Sequence, residues 1–228
     1  MSQGEGTHHE STAKGPDARL VDRMLFFSDA VFAIVLTIMV LELHAPLMET
    51  KGLNDAQSAA ALWTVLGGMF HIFFAYVLSF ALVGLWWSIH MRVTRQLHHF
   101  DWPTAIFNFV FLLTVSLIPF ASSLLGDNVM NPAAWQIYWG VNAAASIALT
   151  VMLLILTRGN GRLIGGMDKR ERLSRTIQSI VPGIAFGIGA WLAATGHADM
   201  ARWCWVLLPL SGLASRFHKA PKAAPATS

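Results

Sequence analysis

The chain has 228 residues, of which 54% are apolar and only 13% charged, with a formal net charge of +3. A soluble domain carries about a quarter charged residues, so this composition excludes an ordinary soluble domain and selects the membrane class. The single cysteine, Cys204, excludes an intrachain disulfide and any cysteine-based metal site.

Residues 1–20 are polar and read as a disordered cytoplasmic tail. No secretory signal peptide is expected, because the first apolar run is too long for one and lacks a small-x-small cleavage site. From residue 21 to 217 the chain reads as one membrane domain, followed by a second disordered cytoplasmic tail over 218–228. A spanning helix needs about 20 mostly apolar residues. Six runs qualify: 24–43, 61–91, 103–125, 134–157, 177–195 and 201–215. The second is long enough that it must tilt, project from the bilayer or break, and the last is short and holds Pro209. Continuous rather than alternating apolarity selects helices over a barrel, giving an all-α membrane protein with six transmembrane helices per subunit.

Charge placement orients the spans. With the N-terminus inside, the outer segments hold only Lys51 and Arg202 among all lysines and arginines. This bias predicts an even number of spans and both termini cytoplasmic, as in a multi-pass protein of the cell membrane. Trp63, Trp86, Trp87, Trp102, Trp135 and Trp203 fall near the proposed boundaries, as in an interfacial belt. The basic segment 158–175 reads as a topogenic inside loop; a lipid-headgroup patch is the alternative.

The first span opens Arg23-Met24-Leu25-Phe26-Phe27-Ser28-Asp29 and continues into the aliphatic run Ala33–Leu43. The pattern R-x-x-x-F-S-D at the start of the first of six spans resembles the signature of the lysosomal-type potassium channels, the transmembrane protein 175 family, in its prokaryotic form. Ala75–Phe80 followed by Trp86-Trp87-Ser88-Ile89-His90 resembles that family's second span, and Asn108-Phe109 with Ser116–Phe120 its third. The likeness is good over residues 23–126 and loose beyond. It implies a homotetramer around a central pore lined by the first helix, passing potassium ions without a carbonyl-lined filter. No TVGYG-like loop occurs, in agreement. It also implies that the narrowest ring falls at Ile34, five residues after the motif aspartate.

The residues themselves give a matching pattern. On a helical wheel at about 100° per residue, one stripe carries Arg23, Phe27, Ala30, Ile34, Ile38 and Leu41, with Thr37 at its edge. Four copies facing one axis would stack Ile34, Ile38 and Leu41 into an aliphatic constriction that blocks ions by dewetting when narrow. Lipid-facing or helix-facing packing is the ordinary alternative for such a stripe. Thr37 either flanks the ion path or bonds back to the Ala33 carbonyl. Asp29 lies at about 220° from Ile34, off the stripe. An ionisable group inside a span pairs within the bundle. Arg23 and Asp29 are poorly placed to pair on one helix, so Asp29 needs a partner from another span, and His90 is the expected one. Arg23, Ser28, Asp29, Trp87, His90 and Asn108 then form one polar network orienting the first helix.

His90 also offers a proton-sensing reading, since histidine titrates near neutral pH. Glu42 sits at the outer end of the first span, where four carboxylates would attract cations or simply be solvated. His98, His99 and Asp101 do not make a convincing metal set. Gly183 and Gly187 give a small-residue packing face in the fifth span. With no nucleophile–base pair, phosphate loop or metal-ligand set, no enzyme, no cofactor and no nucleic-acid partner is expected. The leading expectation is a passive potassium channel in the lipid bilayer, with potassium as the permeant ion. The alternative is a proton- or ion-coupled transporter using Asp29 and His90.

Overall fold

The computed structural model describes residues 16–49, 51–95, 97, 99, 101–158 and 169–207. Expectations for residues 1–15, His98, loop residues 159–168, the end of the sixth span from 208 and the tail 218–228 lie outside these. The described residues are helical, without a strand among them.

α1 runs Pro16–Ile38 and tightens into a 3-10 turn over Met39–Glu42. It starts earlier than expected: residues 16–20, assigned to the tail, are its first turns. Pro16 suits a first helical position, where the missing N–H has no partner to lose, and Asp17 complements the helix dipole.

The long apolar run 61–91 breaks in two. α2 spans Asp55–Gly68 and α3 spans Phe70–Thr94. A capping box opens α2: Asn54 Oδ1 accepts the Gln57 N–H at 2.9 Å, and Gln57 Oε1 accepts the Asn54 N–H at 3.1 Å. Gly67-Gly68 weaken its end, and Met69 takes a non-helical ψ of 7°. α3 alone rises about 37 Å, enough to cross the hydrocarbon without α2. The second span is therefore Phe70–Thr94.

The third span is also two helices, α4 (Trp102–Ser116) and α5 (Ile118–Asp127). Asp101 caps α4 by accepting the Thr104 N–H at 3.3 Å. The break at Leu117 has a local cause: Pro119 lacks the N–H that would continue the ladder. α6 (Pro132–Leu156) is capped by Asn131, which accepts the Ala133 N–H at 3.0 Å. α7 (Lys169–Ala194) carries Pro182 within it and is followed by Gly196 at φ +87° and a short helix Ala198–Ala201. Five segments are long and apolar enough to cross a membrane: Pro16–Glu42, Phe70–Thr94, Trp102–Asp127, Pro132–Leu156 and Arg172–Ala194. Of the expected sixth span, 201–207 is a turn and a 3-10 segment; the rest lies outside the described residues.

α6 is the hub. It packs against α7, α4 and α5. Large aromatic side chains fill the contact, with Trp139 stacked on Phe186 at 5.6 Å and Trp86 5.7 Å from Phe186. Each indole N–H finds an acceptor, as a dry interior requires. Trp86 Nε1 donates to Asn142 Oδ1 at 3.0 Å, Trp135 Nε1 to the Val129 carbonyl at 2.8 Å and Trp139 Nε1 to the Ala201 carbonyl at 3.0 Å. Close approach of α7 to α6 depends on glycine, but not on the expected pair. A Cβ at Gly189 would sit 2.8 Å from Trp139 Cδ1, and one at Gly183 would collide with the Ser146 hydroxyl. Gly187 faces open space. α1 lies at the margin of this bundle, against α3 and α4.

Candidate functional site

The side chains of α1 sort into two faces. Val21, Met24, Ser28, Phe32, Val35 and Met39 are buried, recurring every three or four residues along one stripe. Another stripe carries Phe27, Ile34, Ile38 and Leu41, and the last three are 55%, 41% and 71% exposed in the protomer. Val35 beside Ile34 is only 4% exposed, so the division is sharp. The 3-10 turn keeps the stripe in line: residues three apart eclipse in that geometry, so Leu41 returns to the azimuth of Ile38. Thr37 turns its hydroxyl back onto its own helix, donating toward the carbonyls of Ala33 (3.0 Å) and Ile34 (2.9 Å). Back-bonding is thus the arrangement adopted, with the hydroxyl still exposed. Glu42, half-buried, lies at the end of a groove of about 540 Å³ between α1 and α5, with Asp127 and Asn128 across from it. Ile34 and Ile38 line the same groove.

The buried stripe holds a chain of hydrogen bonds linking α1, α3 and α4. His90 Nε2 lies 2.8 Å from Asn108 Oδ1, Asn108 Nδ2 donates to Ser28 Oγ at 2.9 Å, and Ser28 Oγ donates to the Met24 carbonyl at 2.9 Å. An amide oxygen only accepts, so Nε2 carries the proton and the donors run one way along the chain. Ser28, His90 and Asn108 are at most 1% exposed, and each unpaired group there would be costly. The imidazole is stacked on Phe111 at 5.4 Å with 9° between planes, and Phe32 of α1 lies 5.8 Å away.

Asp29 follows a different course from the one expected. Its partner is Trp87, whose Nε1 donates to Oδ1 at 3.0 Å; His90 pairs with Asn108 instead. Trp87 and His90 are three residues apart on α3, and the roll of that helix turns the indole toward Asp29 and the imidazole inward. Arg23 is exposed and makes no bond to this network among the described residues. Five of the six expected residues therefore fall into two separate clasps, Ser28–Asn108–His90 and Asp29–Trp87. The aromatic walls Phe32 and Phe111 had no signal in the sequence beyond helical periodicity. His99 faces Asp17 at 3.8 Å, and no cluster of three metal-type ligands occurs among the described residues.

This arrangement can be placed among known proteins. The family profile of the endosomal/lysosomal potassium channel TMEM175 matches residues 23–119. A potassium channel from Chryseobacterium sp. is 30% identical over 191 residues, covering 81% of this chain and 92% of that protein. The chain belongs to the TMEM175 family. A potassium channel from Chamaesiphon minutus is 27% identical over 205 residues, 85% of this chain and 94% of the relative. The endosomal/lysosomal proton channel TMEM175 of Mus musculus is 27% identical over 124 residues, which cover only 23% of its length. The fold is shared with the crystal structure of a lysosomal potassium-selective channel TMEM175 homolog from Chamaesiphon minutus, with a TM-score of 0.71 at 23% identity over 86% of this chain and 98% of that one. TMEM175 is an ion-channel family, so the chain is a multi-pass membrane protein and not an enzyme. The matched segment 23–119 contains both clasps and the aliphatic stripe.

Proposed function

We propose that four copies of this chain surround an axis lined by α1 and conduct potassium passively across the cell membrane, with both termini cytoplasmic. Ile34, Ile38 and Leu41 form stacked aliphatic rings, Thr37 stands beside them, and Glu42 attracts cations at the outer mouth. The observation that carries this reading is the division of α1. One face is tied to α3 and α4 by directed hydrogen bonds, while the stripe bearing Ile34 and Ile38 is bare in the protomer. Such fixing orients the bare stripe, as an anchor helix free to rotate in lipid would not require. Apolar rings gate by dewetting, and the larger, more easily dehydrated potassium ion crosses them at lower cost than sodium. Bacterial relatives named potassium channels support the same ion.

Proton passage is the second reading, favoured by the proton-channel names of the vertebrate relatives. The chain from His90 through Asn108 and Ser28 is a line of hydrogen bonds, but it ends on the Met24 carbonyl, which cannot pass a proton onward. A coupled transporter using Asp29 and His90 is disfavoured by their separate partners. The test is potassium and proton flux into liposomes for wild type and Ile34→Asn, with the oligomer mass measured in detergent. A tetramer with potassium flux that rises in Ile34→Asn, with weaker selectivity against sodium, is expected. No flux in either protein, or an Ile34→Asn variant indistinguishable from wild type, sinks the assignment.

A further inference from the structure

The basic ends of α3 and α7 meet at one end of the bundle. Arg175 Nη1 donates to the main-chain oxygen of Arg92 at 3.3 Å, in the last turn of α3, where carbonyls lack helical partners. Arg92 turns its Nε back to the Ser88 carbonyl at 3.1 Å, which leaves its terminal amino groups outside that bond. Arg95 is exposed, and its side chain has no hydrogen bond or ion pair among the described residues. Arg92 and Arg95 thus stand at the C-terminus of α3, with Arg175 of α7 bonded to its main chain.

Beside them opens a groove of about 400 Å³ between α1 and α3. Arg92 and Arg95 line it together with the apolar side chains of Leu25 and Met91. Its carboxylate, Asp29, is bonded to Trp87, eight residues before Arg95 on α3. Two arginines therefore stand in the groove lining against one carboxylate, and that carboxylate is held by the indole N–H. Among the other described carboxylates at this end, Asp17 faces His99, Asp101 caps α4 and Asp22 is also engaged. The groove thus carries a net positive charge at the Arg92–Arg95 end, with Leu25 and Met91 as its apolar side. An amphiphile with a phosphate head and a hydrocarbon chain matches both. Arginine forks suit phosphate oxygens, and the position at a span's end is where a headgroup lies.

We propose that this groove binds an anionic phospholipid from the adjacent leaflet, its phosphate held by Arg92 and Arg95 and its acyl chain laid along Leu25 and Met91. The test is native mass spectrometry of the full chain in detergent, titrated with phosphatidylglycerol, phosphatidylcholine or glycerol 3-phosphate. Phosphatidylglycerol is expected to be retained in preference to phosphatidylcholine, with glycerol 3-phosphate failing to displace it at equal concentration. Arg92→Gln/Arg95→Gln is expected to lose the preference, by about fivefold per arginine removed. Lys51→Gln, outside the groove, is expected to keep it. Should the double variant aggregate, Arg95→Gln alone carries the test, since its side chain makes no hydrogen bond or ion pair among the described residues. Equal retention of the two lipids, unchanged preference in Arg95→Gln, or full displacement by glycerol 3-phosphate overturns the proposal.

Discussion

Asn108 is the joint of the clasp that fixes α1, and its replacement by leucine tests that role with little change in volume. The amide is fully buried and bonded to His90 on one side and Ser28 on the other. Asn108→Leu strands the His90 Nε2–H against hydrocarbon, and an unsatisfied buried donor costs about 1–3 kcal/mol. The lost bond to Ser28 adds about 0.6 kcal/mol, the mean for interhelical bonds in membranes. Ser28 keeps its bond to the Met24 carbonyl, so no second group is stranded. The expected loss is about 1.6–3.6 kcal/mol. Reversible unfolding in mixed micelles, followed by tryptophan fluorescence, measures it. In the double variant with His90→Leu the stranded donor is gone, so the total falls short of the sum of the single losses by about 1 kcal/mol or more. A single loss below about 0.5 kcal/mol, or strict additivity, refutes the reasoning.

Three further outcomes follow from the same geometry. Gly189→Ala pushes a methyl group against Trp139 and Gly183→Ala collides with Ser146, so each is expected to destabilise by about 1–3 kcal/mol, whereas Gly187→Ala, facing open space, is neutral or mildly stabilising; the same unfolding assay ranks them. Trp87→Phe removes the bond to Asp29 and is expected to lower the melting temperature more than Trp63→Phe, whose ring is exposed on α2. Glu42→Gln is expected to reduce potassium conductance at low salt and to leave it nearly unchanged at about 1 M, where screening shortens to about 3 Å; equal conductance at low salt removes Glu42 from the mouth.

Helix positions were legible because long apolar runs fix spans; the capping residues Asn54, Asp101 and Asn131 went unread, and with Asn54 the separate helix α2. The partners of the clasp were less so. A wheel gives the azimuth of each residue on one helix, but the roll of α3 against α1 is set by packing across the bundle. Trp87 and His90 were both visible as candidates, and the assignment of Asp29 to His90 failed for want of that one rotation. Arg23 fell outside the clasps because it lies on the stripe of Phe27 and Ile34 rather than that of Ser28, with its side chain exposed. The break at Leu117 was within reach of the sequence, since Pro119 cannot continue the ladder, but the third span reads there as one run, 103–125. Gly187 was paired with Gly183 by spacing alone, while the true second contact, Gly189, depends on where Trp139 lies on α6.

The most direct test of the account is a cysteine scan of α1 in a Cys204→Ala background, with a charged thiol reagent applied during potassium flux. Ile34→Cys, Ile38→Cys and Leu41→Cys are expected to be blocked, while Phe32→Cys, Val35→Cys and Met39→Cys, on the buried stripe, are unaffected. Block at both sets alike, or at the buried set alone, contradicts an ion path lined by the aliphatic stripe.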